Sequence, residues 1–396
     1  MAARPTVRVA IVGAGMIGQA HAHAFRALRE APYPPPAEVE LTVVADPDAA
    51  LAEAARRRFG FDRTASSWEA VAEAPDVDLV CVALPNFQHR PAVEAILAGR
   101  KHVLCEKPLA NSRADAEAML EAAERAGVVH GVGFNLRCAP AIAALRQAVE
   151  RGAVGSISQF SGRYLTDYGA SPEVPFSWRY ERRQAGSGAL GDIGSHLIDL
   201  SRYLVGELAS VQGATLATFI TARPVPVGHV TGHSRAATTG ELRPVDTDDV
   251  AAFTGRFGSG AVGDFRFSRI ATGFRNSPAF ELIGSEGALA FDMERAAEYQ
   301  VFGEVPGAGD NGFRRVVVGP QHPYFADVAA FPVAGVGYGY SETYVVQAAA
   351  FVRAVVEGRT DYRPNFADGV AVIGVAEAVM LAAQQGQAVE LTTAGG

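Results

Sequence analysis

Two segments far apart in this 396-residue chain hold side chains suited to moving a proton. In the first, Gly186-Ser187-Gly188-Ala189-Leu190-Gly191 leads into Asp192-Ile193-Gly194-Ser195-His196-Leu197-Ile198-Asp199. Asp192, His196 and Asp199 stand four and then three residues apart, which predicts one polar helix face. Ile193, Leu197, Leu200 and Leu204 line the other, buried side. A histidine between carboxylates has its tautomer fixed by a neighbour and can act as a general base. The plainer alternative is a solvated face carrying an ordinary ion pair. Glycines disfavour a helix, however, so this many at its start point to close approach by a cofactor or substrate. The second segment is Cys105-Glu106-Lys107-Pro108, at the end of an apolar run. A lysine there can stabilise negative charge developing on a hydroxyl oxygen. Taken alone it is equally an exposed lysine before a helix with proline at its first position. No further segment completes a ligand set around Asp192, His196 and Asp199, so no metal is expected.

A third motif, Gly13-Ala14-Gly15-Met16-Ile17-Gly18, lies between a strand pattern and a helix pattern. There glycines let backbone approach a pyrophosphate at a helix N-terminus. Asp46 ends the second strand pattern, where a carboxylate accepts from ribose hydroxyls and repels a 2′-phosphate, which favours NAD. Its competing role is to cap the next helix, which Asp48 can do as well.

These residues need elements to hold them. Strand patterns at 7–12, 40–45, 78–83, 102–105 and 128–132 alternate with helix patterns at 17–28, 48–58, 91–98 and 113–126. That alternation predicts an α/β domain with a parallel sheet over residues 1–136. Ala31–Pro36 reads as a surface loop. Over 137–396 strand patterns dominate, and Gly258-Ser259-Gly260 and Gly284-Ser285-Glu286-Gly287 read as hairpin turns. An α+β domain with an open, mostly antiparallel sheet follows. A helix near 189–205 and two at 342–356 and 367–383 would cover one of its faces, and 223–248 reads as a long loop.

Composition narrows the partners. The chain is 48% hydrophobic with formal net charge -8 and no basic block, which argues against nucleic acid. No apolar run is read as approaching the roughly 20 residues of a membrane span. Three scattered cysteines, Cys81, Cys105 and Cys138, fit a reduced, cytoplasmic protein.

The glycine motif, Glu106-Lys107-Pro108 and the Asp192–Asp199 segment together resemble the Gfo/Idh/MocA oxidoreductases in order and spacing. The resemblance implies an N-terminal Rossmann domain and a C-terminal sheet used for homodimer or homotetramer contacts. It implies a catalytic set of Lys107, Asp192 and His196, with Asp199 supporting the histidine. Gly13, Gly15, Met16, Ile17, Gly18, Asp46, Glu106 and Lys107 would hold NAD. Leu84, Pro85, Asn86 and His89 fall where the family meets the nicotinamide, and Lys107-Pro108 would be a cis peptide. Polar and aromatic groups, Asn135, Arg137, Tyr164, Asp167 and Trp178, would frame the substrate beside Lys107, Asp192 and His196. The expected reaction is oxidation of a ring hydroxyl, at C3, of a sugar or anhydrosugar. Alternatives are an inositol or aminocyclitol dehydrogenase, a redox-neutral glycosidase using NAD transiently, and a non-catalytic NAD-binding regulator.

Overall fold

The computed structural model describes residues 4–29, 37–228, 230, 232, 236–303, 311–328, 331, 333–336 and 338–391. Ala31–Pro36 lies outside them. The chain divides into two compact units, Met1–Asn135 with Ser341–Ile373, and Leu136–Tyr340 with Gly374–Gly396.

The first unit is built on β1 (Thr6–Val12), β2 (Glu38–Ala45), β3 (Arg63–Ala65), β4 (Leu79–Val82), β5 (His102–Cys105) and β6 (His130–Val132). All pairs are parallel, in the order β3-β2-β1-β4-β5-β6. Every residue of Leu79-Val80-Cys81-Val82 is buried, as a strand covered on both faces requires. The helices are α1 (Met16–Ala27), α2 (Ala49–Phe59), α3 (Trp68–Ala72), α4 (His89–Ala98) and α5 (Arg113–Ala126). Asp48 caps α2 and Ser112 caps α5, and each helix ends on a left-handed glycine, Gly60 or Gly127. β3 and α3 are too short to show in the sequence pattern.

The second unit contains α6 (Pro140–Glu150), α7 (Arg182–Ala185), α8 (Ser195–Leu204) and α9 (Phe325–Val328). Its strands are β7 (Ile157–Leu165), β8 (Leu208–Ala217), β9 (Ala222–Pro226), β10 (Thr238–Pro244), β11 (Val250–Phe257) and β12 (Val262–Ser268). They continue with β13 (Ser277–Gly284), β14 (Gly287–Asp292), β15 (Glu298–Gly303), β16 (Arg314–Val317) and β17 (Val389–Glu390). Nine form one sheet, β16-β15-β14-β13-β7-β12-β11-β8-β17. Only the β12/β7 pair is parallel. Strict alternation in β11 and β12 buries Phe253, Phe257, Phe265 and Phe267, and Phe253 stacks on Phe265 at 4.5 Å. On the sheet, α8 packs against β7 and α6 against β14.

Three expectations are corrected. The stretch 223–248 is not all loop, because β9 and β10 pair as an antiparallel hairpin. The two C-terminal helices, α10 (Tyr340–Glu357) and α11 (Phe366–Gln385), do not simply cover the second sheet, since Ser341–Ile373 belongs to the first unit. There Gln347 donates to the Val132 carbonyl at 2.9 Å, and Phe366 N–H donates to His130 Nδ1 at 3.2 Å. Gly131 leaves room for the Phe351 ring, which a Cβ would meet at 3.0 Å. Finally, α11 is long and apolar enough to cross a bilayer by length and composition, with mean hydropathy 1.8. Yet 67% of that window is buried within the protein, as in a core helix.

Candidate active site

The glycine loop follows β1. Gly13 has φ 96°, and a Cβ there would fall 2.4 Å from the Ala83 carbonyl oxygen. At Gly18 a Cβ would strike the Gly13 carbonyl oxygen at 1.8 Å. Both are demanded by the protein's own backbone. Gly15 is not, for nothing lies within 4 Å of its absent Cβ, and no side chain caps α1. An open, uncapped helix N-terminus fits a pyrophosphate. Met16 is exposed and Ile17 half-buried beside it.

Asp46 joins this loop. Its Oδ2 accepts from Ala14 N–H at 2.8 Å and its Oδ1 from Asp48 N–H at 2.9 Å. Asp48, not Asp46, caps α2, so Asp46 keeps acceptor sites for a ribose diol. Together the loop and the carboxylate suit a dinucleotide.

The loop Leu84-Pro85-Asn86 follows β4, and His89 opens α4 behind it. The His89 ring is 0% exposed, with Nε2 at 2.9 Å from the Leu84 carbonyl and Nδ1 at 3.1 Å from that of Pro108. Burial lowers its pKa, against those carbonyls. As a neutral imidazole it carries one N–H and donates to one of these carbonyls, and it has no surface with which to touch a ligand, which corrects its expected role as a direct contact. Lys107-Pro108 is cis, and Lys107 is half-buried. Glu106 is buried, with Oε1 accepting from His21 at 2.8 Å and Oε2 from Lys107 N–H at 3.1 Å, so both oxygens serve the protein.

In the second unit, Asp192 lies within a π-helical turn, Leu190–Gly194, that runs into α8. Such turns concentrate at functional sites. The turn begins on Asp248, 2% exposed, whose carboxylate accepts from Gly188 N–H at 2.6 Å and Leu190 N–H at 2.9 Å. Its carbonyl takes the intervening Ala189 N–H at 2.9 Å. Three successive helix-start donors are thereby satisfied by one residue far along the chain. The glycines serve this packing rather than a ligand. A Cβ would lie 1.9 Å from Asp248 O at Gly188, 2.5 Å from Ser187 Oγ at Gly191 and 2.6 Å from the Phe267 ring at Gly194.

α8 has no solvated face, since His196 and Asp199 are buried along with its leucines. A buried carboxylate needs a partner, and Asp199 has Arg137, through bonds of 2.7 and 2.6 Å. This long-range partner is one that the local spacing of Asp199 and His196 does not reveal. Arg137, lying over the Tyr203 ring at 4.9 Å, is a structural partner rather than an open sugar contact. Asn135, 0% exposed, donates to Thr343 at 2.7 Å and is likewise internal. Tyr168, which the motifs do not single out, donates its hydroxyl to Asp192 Oδ2 at 2.7 Å. Burial, then the Asp192 charge, pushes its pKa well above the usual value, so it stays a donor. The Tyr164 ring sits 5.9 Å from that of His196 and its hydroxyl donates to Asn276 at 2.7 Å. Asp167 pairs with Arg275 at 3.0 Å, and the Arg179 guanidinium covers the Trp178 ring at 4.4 Å. Among the described residues no cluster of three His, Cys, Asp or Glu could hold a metal.

Strand order, open glycine loop and acidic strand end define a dinucleotide-binding sheet of the kind that takes NAD. Residues 7–134 match the oxidoreductase family with an NAD-binding Rossmann fold, and 142–290 match the GFO/IDH/MocA C-terminal domain, so the chain belongs to the Gfo/Idh/MocA family. It is 40% identical to levoglucosan dehydrogenase of Pseudarthrobacter phenanthrenivorans, over 94% of this chain and 95% of that protein. Inositol 2-dehydrogenase of Rhizobium meliloti is 27% identical, over 95% and 96%. A levoglucosan dehydrogenase solved with NADH and levoglucosan superposes with TM-score 0.90 at 38% identity, over 98% of this chain and all of that one.

Proposed function

We propose that the chain is an NAD-dependent dehydrogenase oxidising a ring hydroxyl, at C3, of a sugar or anhydrosugar such as levoglucosan. The observation that carries this is a π-helical turn bearing Asp192, bonded by Tyr168, that runs directly into α8, where His196 is buried. The 40% identity to a levoglucosan dehydrogenase supports the substrate class.

Gly13, Gly15, Met16, Ile17, Gly18 and Asp46, with Leu84-Pro85-Asn86, would hold NAD, which when bound would provide the hydride acceptor. His196 takes the hydroxyl proton as general base. Lys107 donates to the same oxygen and stabilises the negative charge that develops on it. Asp192, kept as an acceptor by Tyr168, orients His196. Tyr164, Asp167 and Trp178 offer ring faces and a carboxylate to a sugar's C–H and hydroxyl groups. The second sheet presents a groove of about 340 Å³ lined by Arg163, Asp264, Arg266, Glu281 and Asp292. We assign this charged face to homodimer or homotetramer contacts.

The test is NADH formation with levoglucosan, glucose and inositols as substrates. Levoglucosan is expected to give the highest kcat/KM, whereas preference for an inositol would move the substrate class. Lys107→Ala and His196→Ala are each expected to lower kcat by about a hundred- to ten-thousand-fold with NADH affinity retained. Wild-type turnover in either variant removes the scheme.

A further inference from the structure

Behind Lys107 lies a pair of charges that the reaction scheme leaves unused. His21 on α1 is 1% exposed and Glu106 at the end of β5 is 5% exposed. The imidazole donates to Glu106 Oε1 at 2.8 Å while Oε2 accepts the backbone N–H of Lys107 at 3.1 Å. The surroundings are shaped to hold this pair. The Tyr344 ring meets His21 edge-on at 5.1 Å, and a Cβ on Gly133 would fall 2.6 Å from Glu106 Oε1. Taking two charges out of water costs several kcal/mol per ion, and apolar residues of similar volume often serve stability as well or better. Stability alone is therefore a weak reason for the pair.

We propose that His21 is a positioning residue for Lys107, acting through Glu106. This rests on the reading of Lys107 as the donor to the substrate oxygen. Glu106 fixes the Lys107 backbone through its N–H, yet its negative charge also attracts the Lys107 ammonium. A lone carboxylate would draw that ammonium toward itself and raise its pKa. His21 offsets that charge at Oε1 without breaking the backbone bond at Oε2, so Glu106 holds the Lys107 main chain while its other oxygen is committed to the imidazole.

The other groups facing the pair do not titrate into this balance near neutrality. Cys81 and Cys105 are held as thiols by burial, His89 is held neutral by burial, and Tyr344 presents its ring. Burial opposes the charge on His21; the Cys81 sulfur favours that charge only where the thiol ionises, so near neutrality it is the Glu106 carboxylate, bonded at 2.8 Å, that raises the His21 pKa. Burial likewise works against the Glu106 carboxylate, and the His21 bond outweighs it.

The experiment compares His21→Gln, His21→Leu, Glu106→Leu and the double variant His21→Leu/Glu106→Leu in the full-length protein. Thermal stability, NADH affinity and the pH profiles of kcat and KM are measured, with Lys107→Ala alongside. His21→Gln keeps a donor to Glu106 without the charge. It is expected to fold, bind NADH normally and lose about tenfold in kcat, equivalent to one pKa unit of interaction. Its kcat profile should shift to more alkaline pH. The double variant should recover the Tm lost by the single leucine variants while kcat stays low, a split that a purely structural pair would not give. Wild-type kcat and pH profile in His21→Gln, or wild-type kcat in a double variant of recovered Tm, overturns the proposal. If the double variant does not fold, His21→Gln decides. Retained turnover in Lys107→Ala would instead sink the underlying reaction scheme, so the two failures are distinguishable.

Discussion

The two units use glycine in opposite ways. In the first, Gly15 leaves space, and nothing of the protein comes within 4 Å of its missing Cβ. In the second, Gly188, Gly191 and Gly194 let the protein fill space with the Asp248 backbone, Ser187 and Phe267. Charges are treated differently too. The first unit backs Lys107 with a histidine–glutamate pair. The second ties two of its buried carboxylates to arginines, Asp199 to Arg137 and Asp249 to Arg269, and supports Asp192 with a tyrosine hydroxyl. A glycine-rich stretch is thus a binding loop only where the emptied volume stays empty.

The sharpest way to break this contrast is a single methyl group in each unit. Gly188→Ala places a Cβ 1.9 Å from a backbone oxygen, which no rotamer change relieves. The start of the Asp192 turn must move, and activity is expected to vanish with a large fall in Tm. Gly15→Ala meets no protein atom and should leave Tm within a few degrees while weakening NADH binding at least about tenfold, or roughly 1.4 kcal/mol. Calorimetry with NADH titration checks both. An active, stable Gly188→Ala protein would show that the second loop is not packed as described.

Next in size is Asp248→Ala. It orphans the buried N–H groups of Gly188 and Leu190, at about 1–3 kcal/mol each, so a loss of roughly 2–6 kcal/mol should appear in urea unfolding. Turnover should fall because the turn carrying Asp192 loosens, with NADH affinity unchanged. Weaker NADH binding would mean that the two halves are not held independently.

Much of the first unit is legible in the sequence because its chemistry sits at strand ends. Val-rich runs locate β1, β4 and β5, and the residues that follow them are the candidate ones. The second unit hides more. The pattern over 189–205 reads as an ordinary 3.6-residue helix, and nothing in composition signals the π turn at Leu190–Gly194. Asp248 acts 60 residues from Gly188, and Arg137 62 from Asp199, separations that no local pattern encodes. The run Asp246-Thr247-Asp248-Asp249 was the available hint, since so many carboxylates before a buried strand need donors. Pro224, Pro226 and Gly228 disguise the β9–β10 hairpin as loop. An apolar helix face likewise does not say which sheet it covers, so α10 could not be placed with the first unit.

Tyr168→Phe is a smaller perturbation that tests how the second unit holds Asp192. It removes one hydrogen bond to a charged group, worth about 1.5–3 kcal/mol, without opening a cavity. We expect about a tenfold fall in kcat, a fall of several degrees in Tm and an unchanged NADH affinity. Stopped-flow and steady-state kinetics check this, and a change in KM alone would make Tyr168 a substrate contact instead.

The smallest expected effect concerns pH and belongs to the first unit. Burial, and then the Arg363 charge, lowers the His130 pKa from about 6.5 to about 4, while its Nδ1 accepts the Phe366 N–H. A group with a depressed folded pKa binds its proton more readily when unfolded. Its contribution is therefore complete above about pH 6.5 and is lost as pH falls toward 4, at no more than about 1.4 kcal/mol per pH unit. His21, raised to about 10, acts in the opposite sense: its contribution is complete below about 6.5 and fades as pH rises toward 10. In His130→Asn an amide oxygen can still accept the Phe366 N–H but does not titrate. Urea unfolding between about pH 4.5 and 7 should then show a shallower loss of stability than the native chain. Equal slopes would move the acid sensitivity away from His130 and, with it, the idea that the first unit carries the histidine-based pH response.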